Sequence, residues 1–202
     1  MSRDTRGGGA AGRVARGAAR RAAAAGSALA ALALAACGGG APPAAPVRVS
    51  VDAGGLSAEI ATGAPTARGE VLTVAHVLDG ARGVRVAGNR ARVVRVDRRR
   101  DLAWLAADVA PGRFSDGLHV IRDGKPATIP ARVIRRVNVT LDGGARRAAL
   151  ELDAEIEPGD SGAPLTQDGH IVGVVFARGR SSAWAVALSG ADVTMEEVAT
   201  AR

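Results

Sequence analysis

The chain has 202 residues, 47% of them hydrophobic and only 2% aromatic, which allows one ordinary domain with a real core and excludes both two large domains and a largely disordered chain. Its formal charge of +7 invites a nucleic-acid or membrane-surface role, but residues 1–37 alone hold six arginines against one acid, Asp4. Residues 38–202 are left with 21 basic and 19 acidic residues, and without an aromatic platform or a long basic run a nucleic-acid partner is not expected.

The N-terminal segment has the layout of an export signal. An arginine-bearing stretch ends at Arg21, and residues 22–36 form an uncharged run, which is the order of a positive region followed by an apolar region. Fifteen residues fall short of the roughly 20 that a membrane-spanning helix needs. The run closes on Leu34-Ala35-Ala36-Cys37, which resembles the bacterial lipobox, where the cysteine thiol receives the lipid and becomes the mature N-terminus. Cys37 is the only cysteine in the chain, so no internal disulfide is expected and lipidation at Cys37 is. Residues 38–46, rich in Gly and Pro, read as a tether reaching at most roughly 30 Å. The expected organisation is therefore a signal over 1–37, a tether over 38–46 and a domain over 47–202, lipid-anchored in the cell envelope on its periplasmic or extracellular face.

Beyond residue 46 the chain breaks into short apolar or alternating runs. They fall at 47–51, 70–75, 83–87, 91–96, 118–122, 127–141, 148–156, 171–177 and 183–188, mostly separated by Gly, Asp and Pro. Valine-rich strands at this spacing predict an all-β sandwich or barrel. Asp168-Gly169 between two such runs is a hairpin signal. Ser189 with Asp192 resembles a capping box, and residues 193–201 are expected to form a short C-terminal helix.

Three local signatures then occur in order, with gaps of 25 and 60 residues. The first is Val71-Leu72-Thr73-Val74-Ala75-His76, the second Asp101-Leu102-Ala103-Trp104-Leu105, and the third Pro158-Gly159-Asp160-Ser161-Gly162-Ala163-Pro164-Leu165. A serine hydroxyl needs a base to become a nucleophile. A histidine near neutral pKa serves as that base, and a carboxylate fixes its tautomer. Glycines around Ser161 let the backbone turn sharply, so that the amides of Gly159 and Ser161 are expected to form an oxyanion hole. His119 and His170 lack such context and read as surface residues. Three scattered histidines and one cysteine offer no metal-ligand spacing, and no phosphate-binding loop is present, so neither metal nor cofactor is expected.

The order His76, Asp101, Ser161 and the flanking residues resemble the trypsin/chymotrypsin-fold serine proteases, most closely the bacterial HtrA/Deg-type branch. The similarity runs from about Ala58 to Leu188. Thr62-Gly63 before the His76 motif resembles that branch's lead-in, and Leu152-Asp153-Ala154-Glu155-Ile156-Glu157 its approach to the nucleophile. Ala183-Trp184-Ala185-Val186-Ala187 sits where the branch carries a late strand. The resemblance implies two six-stranded β-barrels with the triad in the cleft between them, and an endopeptidase needing no cofactor. Fourteen residues follow Leu188, too few for a PDZ domain, and Ala163 replaces a glycine that usually follows the Ser-Gly pair.

The resemblance also implies a substrate cleft along Val175, Phe176, Ala177 and Arg178, and places Glu155, six residues before Ser161, where the specificity pocket is shaped. An acid there would attract Arg or Lys side chains. The alternation of Glu151, Asp153, Glu155 and Glu157 with Leu150, Leu152, Ala154 and Ile156 favours a half-buried strand with its acids in water, and the branch's small or aliphatic preference is the default. The alternatives are a catalytically idle peptide-binding or scaffold protein on the same fold, and an esterase; the His-Asp-Ser order favours the protease. Oligomeric state is not legible.

Overall fold

The computed structural model describes residues 44–189 apart from 56–57, 111–113 and 141–145, all within one unit spanning 39–202. The signal, Cys37, most of the tether and the expected C-terminal helix lie outside the described residues.

Thirteen strands and one 3₁₀ turn make up the described residues. The first six close into a barrel of order β1-β2-β3-β6-β5-β4, comprising β1 (Val47–Asp52), β2 (Glu59–Pro65), β3 (Glu70–Val74), β4 (Gly83–Val86), β5 (Asn89–Asp97) and β6 (Leu102–Ala106). β1 and β4 show the alternation of a half-buried strand: Val49, Val51, Val84 and Val86 face the core while Arg48 and Arg85 face out. β3 and β6 differ. Val71 to Val74 and Leu102 to Leu105 are buried on both faces; β3 packs against the strand His170–Arg178 of the second sheet, and on β6 the Arg95 guanidinium covers the Trp104 ring.

That second sheet has the order β8-β7-β11-β12-β13-β10-β9. Its strands are β7 (Gly117–Arg122), β8 (Lys125–Ile129), β9 (Arg132–Thr140), β10 (Arg146–Asp153), β11 (Pro164–Gln167), β12 (His170–Arg178) and β13 (Ala183–Ala187). The all-β, two-part architecture is as expected, except that this half is a seven-stranded sheet with ends at β8 and β9 rather than a second closed six-stranded barrel. The apolar run at 127–141 accounts for the extra strand. It is two strands, because Pro130, lacking an N–H, ends β8 before β9 begins at Arg132.

β12 joins the two cores by its pleat. Val174 and Phe176 pack with the barrel residues, whereas Val175 between them packs with Leu118, Leu150 and Leu165 of the second sheet. Three hairpins share one turn geometry. Ala87-Gly88, Asp123-Gly124 and Asp168-Gly169 all have positive φ at both residues and join strands paired directly across them, as a two-residue turn matched to strand twist requires.

Candidate active site

The pairing register of β3 with β6 brings the first two motif residues together. Val74 lies opposite Leu102, so His76, just past the end of β3, meets Asp101, just before the start of β6. The Ala75 N–H donates to the Asp101 carbonyl at 3.1 Å, and the chain turns into a 3₁₀ turn over His76–Leu78. Asp101 uses both carboxylate oxygens on His76: the backbone N–H of His76 donates to Oδ1 at 2.8 Å, and Nδ1 lies 2.8 Å from Oδ2. The ring is thus held with Nδ1–H towards the acid and Nε2 free to accept a proton. Asp101 also has φ +61, a left-handed backbone that aspartate tolerates better than most residues.

The electrostatics follow from this contact. The Asp101 hydrogen bond raises the His76 pKa above its ordinary value; burial opposes this, and the charges of Asp101, Glu59 and Asp79 add to it. For Asp101, burial pushes the carboxyl up, but the hydrogen bonds and charge of His76, together with the charge of Arg147, hold it below its ordinary value. The histidine is accessible, with its side chain 41% exposed, while the aspartate side chain is 9% exposed.

Ser161 sits in the loop before β11, and barrel residues hold that loop from below. The Thr62 N–H donates to the Ser161 carbonyl at 2.8 Å and Thr62 Oγ1 to the Gly159 carbonyl at 2.9 Å. Thr73 Oγ1 donates in turn to the Thr62 carbonyl at 2.8 Å. Gly162 is where the loop touches the barrel. Its φ is +91, and a Cβ there would lie 1.9 Å from the Thr62 carbonyl oxygen, so only glycine fits. Gly159 has φ +99, and among the described residues the amides of Gly159 and Ser161 donate to no intrachain acceptor.

Asp160 faces away from solvent. Its side chain is 1% exposed and forms a two-bond ion pair with Arg122, with Nη2 2.8 Å from Oδ2, while the Glu157 N–H donates to the same oxygen at 2.7 Å. The Arg122–Asp160 hydrogen bond raises the affinity of Arg122 for its proton.

No hydrogen bond links Ser161 Oγ to His76 among the described residues. His76 and Asp101 line a cavity of about 400 Å³ together with Phe176 and Ala177, and Ser161 lines a smaller one of about 160 Å³ with Pro158, Ala177 and Arg178. Ala177 is common to both. Of the four residues expected along the substrate cleft, Phe176, Ala177 and Arg178 line these cavities.

Val175 does not. It is fully buried, and its backbone is tied to the nucleophile loop through Gly162 N–H to Val175 O at 2.7 Å and Val175 N–H to Ala163 O at 2.9 Å. The pleat that turns Phe176 towards the cleft turns Val175 into the second core.

Glu155 is exposed, with Ile156 buried beside it, in keeping with the expected alternation. β10 ends at Asp153, however, so Glu155 belongs to the loop beyond it and lines a cavity of about 780 Å³ opposite Arg178 and Arg180.

His170 is exposed as expected, but His119 is not a surface residue. It is 3% exposed, with Nε2 2.8 Å from the Ser115 carbonyl and 3.0 Å from Thr166 Oγ1, and Nδ1 3.1 Å from Thr128 Oγ1. Polar partners on β8 and β11 allow the ring to be buried inside the sheet. Arg122 and Arg147 were not singled out by the sequence, since each finds its acid only through tertiary pairing. Among the described residues no group of three or more His, Cys, Asp or Glu side chains converges as a metal site would.

Solved structures that this architecture matches include proteases. The Rv3671c protease from M. tuberculosis in its active form superposes with a TM-score of 0.63 at 23% identity, covering 73% of this chain and 78% of that one. Its inactive form is 26% identical with a TM-score of 0.57, covering 71% and 83%. The chain has the trypsin-like serine-protease fold. In that fold it is also similar to the HtrA-type protease AlgW, at 20% identity and a TM-score of 0.58, covering 73% of this chain and 57% of AlgW. The MamO protease domain from Magnetospirillum magneticum matches at 22% identity and a TM-score of 0.57, over 75% and 94%. No protein-family model and no curated protein sequence matches the chain.

Proposed function

We propose that this chain is a serine endopeptidase in which Ser161 is the nucleophile, His76 the general base and Asp101 its orienting acid. The observation that carries the reading is the double hydrogen bond of Asp101 on His76 within a trypsin-like fold. Ser161 Oγ attacks the scissile carbonyl carbon as His76 Nε2 takes its proton. The carbonyl oxygen, now negative, is received by the Gly159 and Ser161 amides. His76 returns the proton to the departing amine, and a water deprotonated by the same ring hydrolyses the acyl-enzyme. Hydrogen bonds between Ser161 and the base tighten in a substrate complex. The polypeptide substrate runs past Phe176, Ala177 and Arg178, and the mixed charge of Glu155, Arg178 and Arg180 opposes a simple preference for basic side chains.

The test is labelling by a fluorophosphonate probe. Wild type is expected to label and Ser161→Ala not to; equal labelling would leave a catalytically idle peptide-binding protein as the reading. Comparing peptide amides with simple esters separates protease from esterase.

Export and anchoring are supported by the arginine-then-apolar leader and its closing Cys37. Two or more acyl chains on that cysteine give stable attachment, and a nine-residue tether keeps the enzyme close to the envelope membrane. Cys37→Ala is expected to release the protein from the membrane fraction; unchanged partitioning would refute the anchor.

A further inference from the structure

Alternation along β10 makes residue 147 an inward position, two residues from fully buried Ala149. The chain places an arginine there. Arg147 is 8% exposed, and an unpaired guanidinium so enclosed is costly. Its Nη1 lies 3.2 Å from Asp101 Oδ2, within ion-pair range but without hydrogen-bond alignment, since Nε and Nη1 have no hydrogen-bond partner. The guanidinium stands 5.3 Å from the Phe176 ring centroid and lines the same cavity as His76 and Asp101. Asp101 already gives both oxygens to His76, so what Arg147 adds is a positive charge beside Oδ2, the oxygen that faces the His76 ring.

We propose that Arg147 is a positioning residue for catalysis, whose buried cation holds the Asp101 carboxylate in place and offsets part of its charge, thereby setting the proton affinity of His76. The acids acting on His76 are Asp101, Glu59 and Asp79; two cations, Arg98 and Arg147, line the same cavity, and Arg98 is paired with Asp79 at the surface. Arg147 is a buried cation that acts on this set through the charge it sets against Asp101. Without it, the full charge of Asp101 would fall on the imidazolium and make His76 harder to deprotonate. A carboxylate freed on one side would also hold the ring less firmly. The inference rests on the serine-endopeptidase reading above.

The experiment measures the second-order rate of fluorophosphonate labelling of Ser161 against pH, in full-length wild type and in Arg147→Met, Arg147→Gln and Arg147→Lys. In the two neutral variants the acid-limb midpoint is expected to rise by about half a unit to one unit, with labelling at the optimum slower by about 10-fold. Arg147→Lys, which keeps the charge, is expected to return the midpoint towards wild type. A residue that only supports the fold would lower the melting temperature and leave the midpoint of the folded fraction unchanged, which would overturn the proposal. Lysine behaving like methionine, or both neutral variants failing to fold, would overturn it as well. Wild type that does not label at all would instead sink the protease reading.

Discussion

Arg122 at the end of β7 closes a two-bond ion pair onto Asp160, the residue immediately before Ser161. With the Glu157 N–H on the same carboxylate, it pins the loop that carries the nucleophile from within the chain. Removing one partner of a buried pair leaves an uncompensated charge, and Arg122→Met should cost about 3 kcal/mol of stability. Urea unfolding measures this. Because the loop also presents the Gly159 and Ser161 amides, labelling of the residual folded protein should slow as well. A variant of unchanged stability would show that the pair is idle.

Activity and stability should respond to pH in opposite senses at His76. Catalysis needs the neutral ring, and its pKa is raised above about 6.5 by Asp101, so labelling should fall along an acid limb whose midpoint lies above that value. The same raised pKa means that the folded state holds the proton more tightly than the unfolded state. That stabilisation is complete below about 6.5 and is lost as pH rises through the folded value. Labelling rates and denaturation midpoints across pH 5–9 check both signs, and His76→Ala should remove both.

His119 should act the other way. Burial lowers its pKa, with the Ser115 hydrogen bond opposing, so the folded state disfavours the proton relative to the unfolded state. Stability should be full above about 6.5 and decline as pH falls below it. His119→Gln, which keeps a polar side chain but cannot titrate, should remove the fall in stability below about pH 6.5 and leave the His76 contribution in place. A wild-type profile unaltered by that substitution would contradict the assignment.

The contact between the barrel and the nucleophile loop can be loosened in two steps. Thr62→Val removes the Oγ1 bond to the Gly159 carbonyl at constant shape and should cost about 1 kcal/mol, measured by chemical unfolding. Gly162→Ala would put a methyl against the Thr62 carbonyl and demand φ +91 of an alanine. It should cost about 4 kcal/mol or more, seen as loss of soluble folded protein.

The three motifs were legible because each is local: an apolar strand ending in His76, an acid opening one at Asp101, a glycine-flanked Ser161. Most strands were legible for the same reason, through valine alternation. β2 was not, because Ile60-Ala61-Thr62-Gly63-Ala64-Pro65 has little strand propensity of its own and is held by its neighbours; a Cβ on Gly63 would lie 2.4 Å from Val71 Cγ1. Arg122 and Arg147 were illegible for a different reason. A charged residue at a strand position reads as solvent-facing until pairing shows which acid lies across from it, and Asp160 is 38 residues from Arg122 in the chain.

The two-residue hairpins at Ala87-Gly88, Asp123-Gly124 and Asp168-Gly169 carry a consequence for an enzyme that cuts polypeptides. A chymotrypsin-like cleft takes its substrate as an extended strand several residues long, whereas each of these reversals is pinned by ladder bonds directly on both sides. Another copy of the enzyme would have to peel the hairpin open before cutting it. These three exposed corners are therefore poor places for one copy to cut another.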